Sequence, residues 1–388
     1  MLKIVIDATP VQPNPSGVGL YVLNLIESLL KLQVQENFQL GIAYQPGFKN
    51  LLRGCFSLPY SLQQVSPLYL IPIPVRVSNL ILSLPFNVAV SQYFENCLGS
   101  PDIVQGTNYS VYPCKNSRRL INIYDLSFIK YPEYIDATVA TYKKRIKRYL
   151  QWTDLILTIS ESSKRDIVNY LGVNHQQIYV TPLASRYSSG YLKNNLRDQV
   201  MESIDYDFSP PYLLFVSTIE PRKNIQTLIN AFNLLKQNLK LEHHLVLIGR
   251  KGWHYQPIFA AIENSPWNHH IHHLDYLCDE HVALFYSNAD VFVYPSHYEG
   301  FGLPVLEAMT LGAPVVTSNT SSLPEVAGDA AILIDPNDPM ELAEAILKII
   351  SDSQLRQDLI QKGKARAKLF SWERTAKETL NAYKSLLS

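Results

Sequence analysis

From residue 212 onward the chain alternates short runs of Val, Ile and Leu with amphipathic stretches, and that alternation leaves few folds open. The apolar runs fall at 212–217, 245–248, 271–274, 291–294, 314–317 and 331–334, with helical spacing at 224–235, 279–288 and 340–350 between them. A run apolar at successive positions suits a strand covered on both faces, and a helix between strands is the crossover that parallel pairing needs. The first half repeats the theme less regularly, with strand patterns at 2–7, 38–43, 103–105, 120–123, 155–159 and 178–181 and helical ones at 19–32, 134–152 and 162–171. Between Pro182 and the double proline Pro210-Pro211 the pattern dissolves into polar sequence. The expected fold class is α/β: two Rossmann-like, doubly wound parallel-sheet domains facing a cleft, at 1–185 and 211–370, joined by a linker at 186–210. The closing helical segment, 371–388, is expected to cross back to the first domain.

A chain of 388 residues, 47% of them apolar, exceeds what one core usually serves and excludes a disordered protein. Lys plus Arg and Asp plus Glu both total 34, so the chain lacks the basic excess of a nucleic-acid binder, and anion recognition must be local. Cys55, Cys97, Cys114 and Cys278 are scattered, with no short spacing of a zinc site. They read as ordinary buried thiols of a reducing compartment. Met1-Leu2-Lys3 runs straight into Ile4-Val5-Ile6-Asp7, a strand rather than a secretory leader, and the apolar region 68–94 is interrupted by Pro72, Pro74, Pro85 and Arg76. The expected location is cytoplasmic.

Chemistry is expected just after strands, where ligands of doubly wound sheets bind. Tyr298-Glu299-Gly300-Phe301-Gly302-Leu303-Pro304-Val305-Leu306-Glu307 follows the strand at 291–294. Its glycines let backbone approach a ligand, Pro304 suits the first helical position, and the opening N–H groups of a helix favour an anion. Glu299 and Glu307 supply acceptors for hydroxyls, so the segment suits phosphate and polyol together. Glu307 is expected in the first turn, kept ionised by the helix dipole. Ser217-Thr218-Ile219-Glu220-Pro221-Arg222-Lys223-Asn224 closes the strand at 212–217. Two cations ahead of a helix oppose its dipole unless an anion arrives, which favours a diphosphate contact over a solvated charge pair.

Ser16-Gly17-Val18-Gly19 opens the first helix. It reads either as a tight turn or as backbone brought to a phosphate or an acceptor sugar; a dinucleotide site lacks its third glycine and its ribose-binding acid. His269, His270, His272 and His273 cluster, but strand alternation sends neighbours to opposite faces, and no metal site is expected. The run Lys143-Lys144-Arg145-Ile146-Lys147-Arg148 reads as a solvated helix face, with peripheral contact to anionic lipid as the sharper alternative.

Together these motifs resemble the retaining nucleotide-sugar glycosyltransferases of family 4, which have the GT-B fold. The resemblance spans nearly the whole chain and is strongest at Glu220-Pro221-Arg222-Lys223-Asn224 and from Pro295 to Pro304, continuing through Thr317-Ser318-Asn319 and Leu323-Pro324-Glu325-Val326-Ala327-Gly328. It implies an acceptor-side first domain and a donor-binding second one. Arg222 and Lys223 would hold the donor diphosphate, Glu299 the transferred sugar and Glu307 the nucleotide ribose. Gly300, Phe301, Gly302 and Leu303 would approach the donor, backbone near Tyr276 and Leu277 would receive the base, and Gly17 and Gly19 would lie beside the diphosphate on the acceptor side. The pattern is nearest to bacterial mannosyl- and rhamnosyltransferases of O-antigen and exopolysaccharide assembly. One departure stands out: the family's His-Asp-Leu reads Tyr124-Asp125-Leu126, and a tyrosine cannot reproduce an imidazole's charge, so the catalytic part that the resemblance gives to the His would fall to Tyr124 as a hydrogen-bond donor or to Asp125 alone.

The resemblance implies transfer of a hexose, mannose by preference, from GDP-mannose or another nucleotide sugar such as a UDP-sugar to a glycan or lipid-linked acceptor with retention. No cofactor or metal is expected, only the nucleotide-sugar co-substrate. Other readings are a non-catalytic relative that binds a sugar nucleotide or glycan, which Tyr124 alone favours, and a sugar-nucleotide epimerase.

Overall fold

The computed structural model describes residues 1–11, 17–47, 62–63, 65–83, 87–134, 142–192 and 194–387. The chain divides into two compact units, the first made of Met1–Ile129, Ala137–Leu183 and Trp372–Ser388, the second of Lys130–Asp136 and Ala184–Ser371.

The strands of the first unit are β1 (Leu2–Asp7), β2 (Phe38–Tyr44), β3 (Leu68–Leu70), β4 (Ile103–Gly106), β5 (Arg118–Asn122), β6 (Leu155–Thr158) and β7 (Ile178–Val180). Among the described residues they form a seven-stranded sheet in the order β3-β2-β1-β4-β5-β6-β7, parallel throughout. Ile4 pairs with both Leu40 and Ile103, and Ile4, Val5 and Ile6 are all buried. That double coverage is why the strand reads as a continuous apolar run. The order reverses between β1 and β4, so the loops after these two strands diverge and leave room for a ligand.

Trp372–Ser385 is a helix of this unit. It packs along the helix Gly17–Leu32, burying Ala376, Leu380 and Tyr383. The Tyr383 hydroxyl donates to Gln105 Oε1 on β4, and Lys384 pairs with Glu36 at 2.8 Å. Burying the Leu380 and Tyr383 side chains contributes about 1.5–3 kcal/mol each.

The second unit holds β8 (Tyr212–Val216), β9 (His244–Ile248), β10 (Ile271–Leu274), β11 (Val291–Tyr294), β12 (Val315–Ser318) and β13 (Ala331–Ile334). They form a six-stranded sheet in the order β10-β9-β8-β11-β12-β13, again parallel. Here the order reverses between β8 and β11. Helix starts follow local chemistry: Asp338 accepts from the N–H groups of Met340 and Glu341 at 2.8 and 3.0 Å, with Pro339 opening the helix Pro339–Ser351 behind it.

Three sequence expectations are revised. Residues 186–210 are no bare linker: they belong to the second unit and carry the helix Asn194–Glu202. Of the cysteines expected to be buried, Cys114 is, Cys97 is half-buried and Cys278 is exposed, while Cys55 lies outside the described residues. The proline-broken region 68–94 is in keeping with its reading as no single long helix: its described residues hold β3 and the helices Val75–Ser83 and Val88–Cys97, the second capped by Asn87, whose side chain accepts from Ala89 N at 2.8 Å. The helix expected at 134–152 is a 3₁₀ turn, Pro132–Tyr134, and a helix, Tyr142–Tyr149; residues 135–141, like Ser16, lie outside the described residues.

Candidate functional site

The two loops at the switch point of the second sheet carry the candidate site. After β8 the chain makes a 3₁₀ turn, Pro221–Lys223, then places Asn224 in the left-handed region at φ 58° before the helix Ile225–Leu239. The Asn224 amide donates to the carbonyls of Pro295 and Pro336, at 3.1 and 2.5 Å. One buried side chain thereby ties the loops after β8, β11 and β13 together. The backbone N–H of His297 donates to the carbonyl of Arg222 at 3.0 Å and closes the contact.

Within this frame Glu299, Arg222 and Lys223 converge. The Lys223 ammonium donates to Glu299 Oε1 at 2.6 Å and to the Tyr294 hydroxyl at 2.8 Å. Arg222 spans Glu220 at 2.6 Å, Glu299 Oε2 at 3.1 Å and the carbonyl of Tyr298 at 2.6 Å. Burial alone would raise the Glu299 carboxyl, but the Lys223 ammonium and the Arg222 guanidinium outweigh it and hold the group at about 2. Burial and Arg222 press the Lys223 ammonium down, and Glu299, Tyr294 and Glu220 carry it above its ordinary value. Two cations therefore face two carboxylates, all four nearly buried. The charge read from the sequence as free for a diphosphate is shared with Glu220 and Glu299, and an incoming anion meets guanidinium and ammonium groups already fixed in place.

The Glu299 loop is held from below by residues that sequence reasoning passed over. Ser321 Oγ accepts from the Glu299 N–H at 3.0 Å, and Ser322 Oγ donates to the carbonyls of Glu299 and Phe301 at 2.9 and 2.7 Å. Gly302 adopts φ 113°, and a Cβ there would stand 2.9 Å from Leu323 Cδ2. The glycine is thus demanded by conformation, and any Cβ would also have to displace the Leu323 side chain. Phe301 turns its ring into the core against Phe370, centroids 5.7 Å apart, so that only its backbone faces outward. Lys130 lies 5.0 Å over the Tyr298 ring and Tyr131 packs on the same ring, a basic residue beside the site with no motif to announce it.

Glu307 departs from expectation. It is the fifth residue of the helix Leu303–Leu311, with Pro304 the second, so it sits beyond the first turn, where the dipole has faded. Burial pushes its carboxyl up, opposed by Arg186. The Arg186 guanidinium reaches it at 2.7 and 3.4 Å and Asp279 at 2.8 Å, with the Tyr286 hydroxyl 3.4 Å away. Nothing local in the sequence marks Arg186 as its partner. Tyr276 is exposed, its ring 4.4 Å from the Arg250 guanidinium, and Leu277 beside it is half-buried.

The remaining candidates lie in the first unit. Tyr124 is buried, packed edge-on against Tyr21 and Tyr109 at 5.3 and 5.6 Å. Its hydroxyl donates to the Thr107 carbonyl at 2.5 Å, and burial raises it well above the usual tyrosine value. It is a neutral donor already engaged, not a substitute imidazole. Asp125 Oδ1 accepts from the N–H and hydroxyl of Ser127, at 3.0 and 2.8 Å, capping a short turn of helix. Gly17 and Gly19 open the helix Gly17–Leu32, and among the described residues no atom lies within 4 Å of where a Cβ at Gly17 would stand. The basic run 143–148 is not one solvated face: Lys143, Lys144 and Lys147 are exposed, while Arg145 is half-buried and lies 4.2 Å over the Tyr142 ring.

The histidines pair with each other and with backbone. His272 meets His244 at 2.8 Å and His273 meets the Gly249 carbonyl at 2.8 Å. Among the described residues no group of three or more His, Cys, Asp or Glu is placed to hold a metal ion, and no helix is long and apolar enough to cross a membrane.

Comparison with known proteins gives concordant findings. The model of the family described as glycosyl transferases group 1 matches residues 197–366. O-antigen chain mannosyltransferase B of Escherichia coli is 37% identical over 286 residues, 73% of this chain and 74% of that protein. The serotype-specific mannosyltransferase WbdA of the same species is 29% identical over 242 residues, covering 60% of this chain and 29% of its own length; the present chain thus spans under a third of it. Among solved structures, sucrose-phosphate synthase from Thermosynechococcus elongatus superposes with a TM-score of 0.72 at 20% identity, over 100% of this chain and 99% of that one. The fold is that of the GT-B glycosyltransferases.

Proposed function

Because the chain belongs to the group 1 glycosyl transferases, we propose that it moves mannose from GDP-mannose, with retention, to a glycan or lipid-linked acceptor in the assembly of an O-antigen or related polysaccharide. The observation that carries this reading is the buried Arg222, Lys223 and Glu299 constellation at the switch point of the second sheet. Departure of a nucleoside diphosphate builds negative charge on the leaving oxygen, and preorganised cations act on that charge with no cost of reorganisation at the moment of reaction. Glu299, ionised throughout the physiological range, accepts hydroxyl hydrogens of the transferred sugar while holding both cations in register. Glu307 is assigned to the ribose, a role that requires Arg186 to share or yield its carboxylate, and backbone beside Tyr276 and Leu277 to the base. Tyr124, whose hydroxyl is engaged by Thr107, takes no part in the chemistry; Asp125 stands on the acceptor side without the family's histidine.

The preference for mannose rests on the name of the E. coli relative. The direct check is release of nucleoside diphosphate from a panel of GDP- and UDP-sugars, followed by mass spectrometry. GDP-mannose is expected to turn over at least tenfold faster than any UDP-sugar. Binding without turnover of any donor would favour a non-catalytic relative, and conversion of donor without an acceptor would favour an epimerase.

The proposed location is cytoplasmic, with peripheral contact to the inner face of a membrane through exposed Lys143, Lys144 and Lys147. Each lysine near an anionic surface contributes about 1 kcal/mol, lost with rising salt. The protein is expected to sediment with vesicles containing anionic lipid and not with purely zwitterionic ones, and reversal of the three lysines to glutamate should abolish it. Sedimentation indifferent to lipid charge would sink the idea.

A further inference from the structure

The double proline Pro210-Pro211, expected to end a linker, lines a cavity of about 620 Å³ in the second unit. Tyr212, the first residue of β8, and Asp290, just ahead of β11, line it too. Met201 of the helix Asn194–Glu202 and Asn288 of the helix Asp279–Asn288 complete the enclosure. Arg222, Lys223 and Glu299 follow the C-terminal ends of these same two strands, so the cavity lies at the opposite edge of the sheet, a strand length of roughly 15 Å away. No role assigned above reaches it. Its volume falls in the range of about 300–1,000 Å³ usual for small-molecule sites.

Its lining is half ring surface and half polar groups held in place. Tyr206 and Phe208, both half-buried, pack edge-on with centroids 4.9 Å apart. Beside them the two prolines, also half-buried, make a stiff wall with no N–H to offer. The Tyr206 hydroxyl is buried and has no hydrogen-bond partner among the described residues. Burial and the neighbouring Asp207 push it up to about 12, so it stays protonated and can both donate and accept. Asp207 is exposed, its Oδ1 accepting from the Ser209 N–H at 2.9 Å. Asp290 is held by Arg356 at 2.5 Å and by His243 at 3.4 Å, and Arg197 donates to Asn288 Oδ1. Two carboxylates, Asp207 and Asp290, thus stand against two guanidinium groups, Arg197 and Arg356.

Balanced charge attracts neither a phosphate nor an ammonium ion. β8 and β11 are interior strands of their sheet, so no strand edge is free for an extended peptide to extend. A proline-rich peptide brings carbonyl acceptors and few donors, and would leave Asp207, an acceptor only, unanswered. Ring faces beside a hydroxyl, a carboxylate and guanidinium donors match a pyranose, which carries C–H groups on its faces and hydroxyls that both donate and accept around its rim. We propose that this cavity binds a short stretch of neutral glycan, remote from the donor constellation, with Asp207 and Tyr206 hydrogen-bonded to its hydroxyls and a sugar face against Phe208. The glycan site stands on the cavity itself. Only its use, retaining the polysaccharide on the enzyme between transfers, rests on the glycosyltransferase reading.

The test is hydrogen–deuterium exchange followed by mass spectrometry on the full chain, with mannotriose, maltotriose and a proline decapeptide as probes, each with and without GDP. At least one trisaccharide should slow exchange in the segment 202–209 at least threefold, and GDP should leave that protection intact. Asp207→Ala and Phe208→Ala should each remove it, and Tyr206→Phe, which deletes only the hydroxyl, should weaken the affinity about fivefold. Should Phe208→Ala fail to fold, the other two variants decide. In transfer assays Asp207→Ala should raise the KM for a long glycan acceptor about tenfold and change that for a monosaccharide acceptor little; an unchanged KM for the long acceptor would overturn the retaining role. No protection by either trisaccharide, protection that survives the variants, or protection by the proline peptide alone would overturn the site. If no nucleotide sugar is turned over but trisaccharide protection still depends on Asp207, the transferase reading fails and the glycan site remains. Turnover without protection at 202–209 removes this site alone.

Discussion

Lys223→Ala is expected to lower donor turnover at least ~100-fold and to destabilise the second unit by about 3 kcal/mol. The substitution removes the ammonium that lies 2.6 Å from Glu299 and strands a buried carboxylate on Arg222 alone. Because Glu299 titrates at about 2 in the folded chain, below the ordinary carboxylate value of 4.5, its contribution is complete above pH 4.5 and fades as the pH falls toward 2. The stability gap between wild type and variant should therefore be widest at pH 7 and narrow between pH 4.5 and 3, in urea titrations followed by fluorescence. Adding Glu299→Gln to the variant should restore part of the stability, since the uncompensated charge is gone, but none of the turnover. A gap of constant size across that pH interval would show that the pair is not what the lysine stabilises.

Gly302→Val should be nearly as damaging by an unrelated route. A β-branched residue at φ 113° is strained, and its Cβ would collide with Leu323 Cδ2 at 2.9 Å, a side chain that is itself fully buried. Strain and collision together are expected to cost about 2–4 kcal/mol. The cost falls on the segment between Glu299 and the helix Leu303–Leu311, so donor affinity should drop more steeply than thermal stability. Gly302→Ala, which keeps the strain but lacks the branches, should fall between. Calorimetric melting together with titration by GDP reads both effects, and a valine variant that melts and binds like wild type would refute the account.

Strand positions were legible wherever a strand is covered on both faces, as in Leu2–Asp7 and Val291–Tyr294, because double burial writes an unbroken apolar run. β3, with Leu68 and Leu70 exposed at the sheet edge, carries no such signature and was missed. Glu299, Arg222 and Lys223 could be read because each sits in a compact motif after a strand. Arg186 and Lys130 could not, since each arrives from a stretch of sequence with no pattern of its own and meets its site through partners distant in sequence: Glu307 and Asp279 for Arg186, Tyr298 for Lys130. Placing Glu307 in a first turn failed for a simpler reason: the helix begins at Leu303, and counting from there leaves Glu307 dependent on Arg186 rather than on the dipole. The inward Arg145 was likewise hidden inside a run of like charges, where composition cannot tell which side of the helix is wet.

The helix Trp372–Ser385 also bears on the order in which the protein is made. It completes the first unit, seating Tyr383 against Gln105 and Trp372 against Tyr21, yet every residue of the second unit leaves the ribosome before it. While residues 184–371 are being synthesised, the first sheet must wait with the groove along Gly17–Leu32 uncovered. A chain released at Ser371 would therefore present a complete second unit tethered to a first unit that still lacks its closing helix.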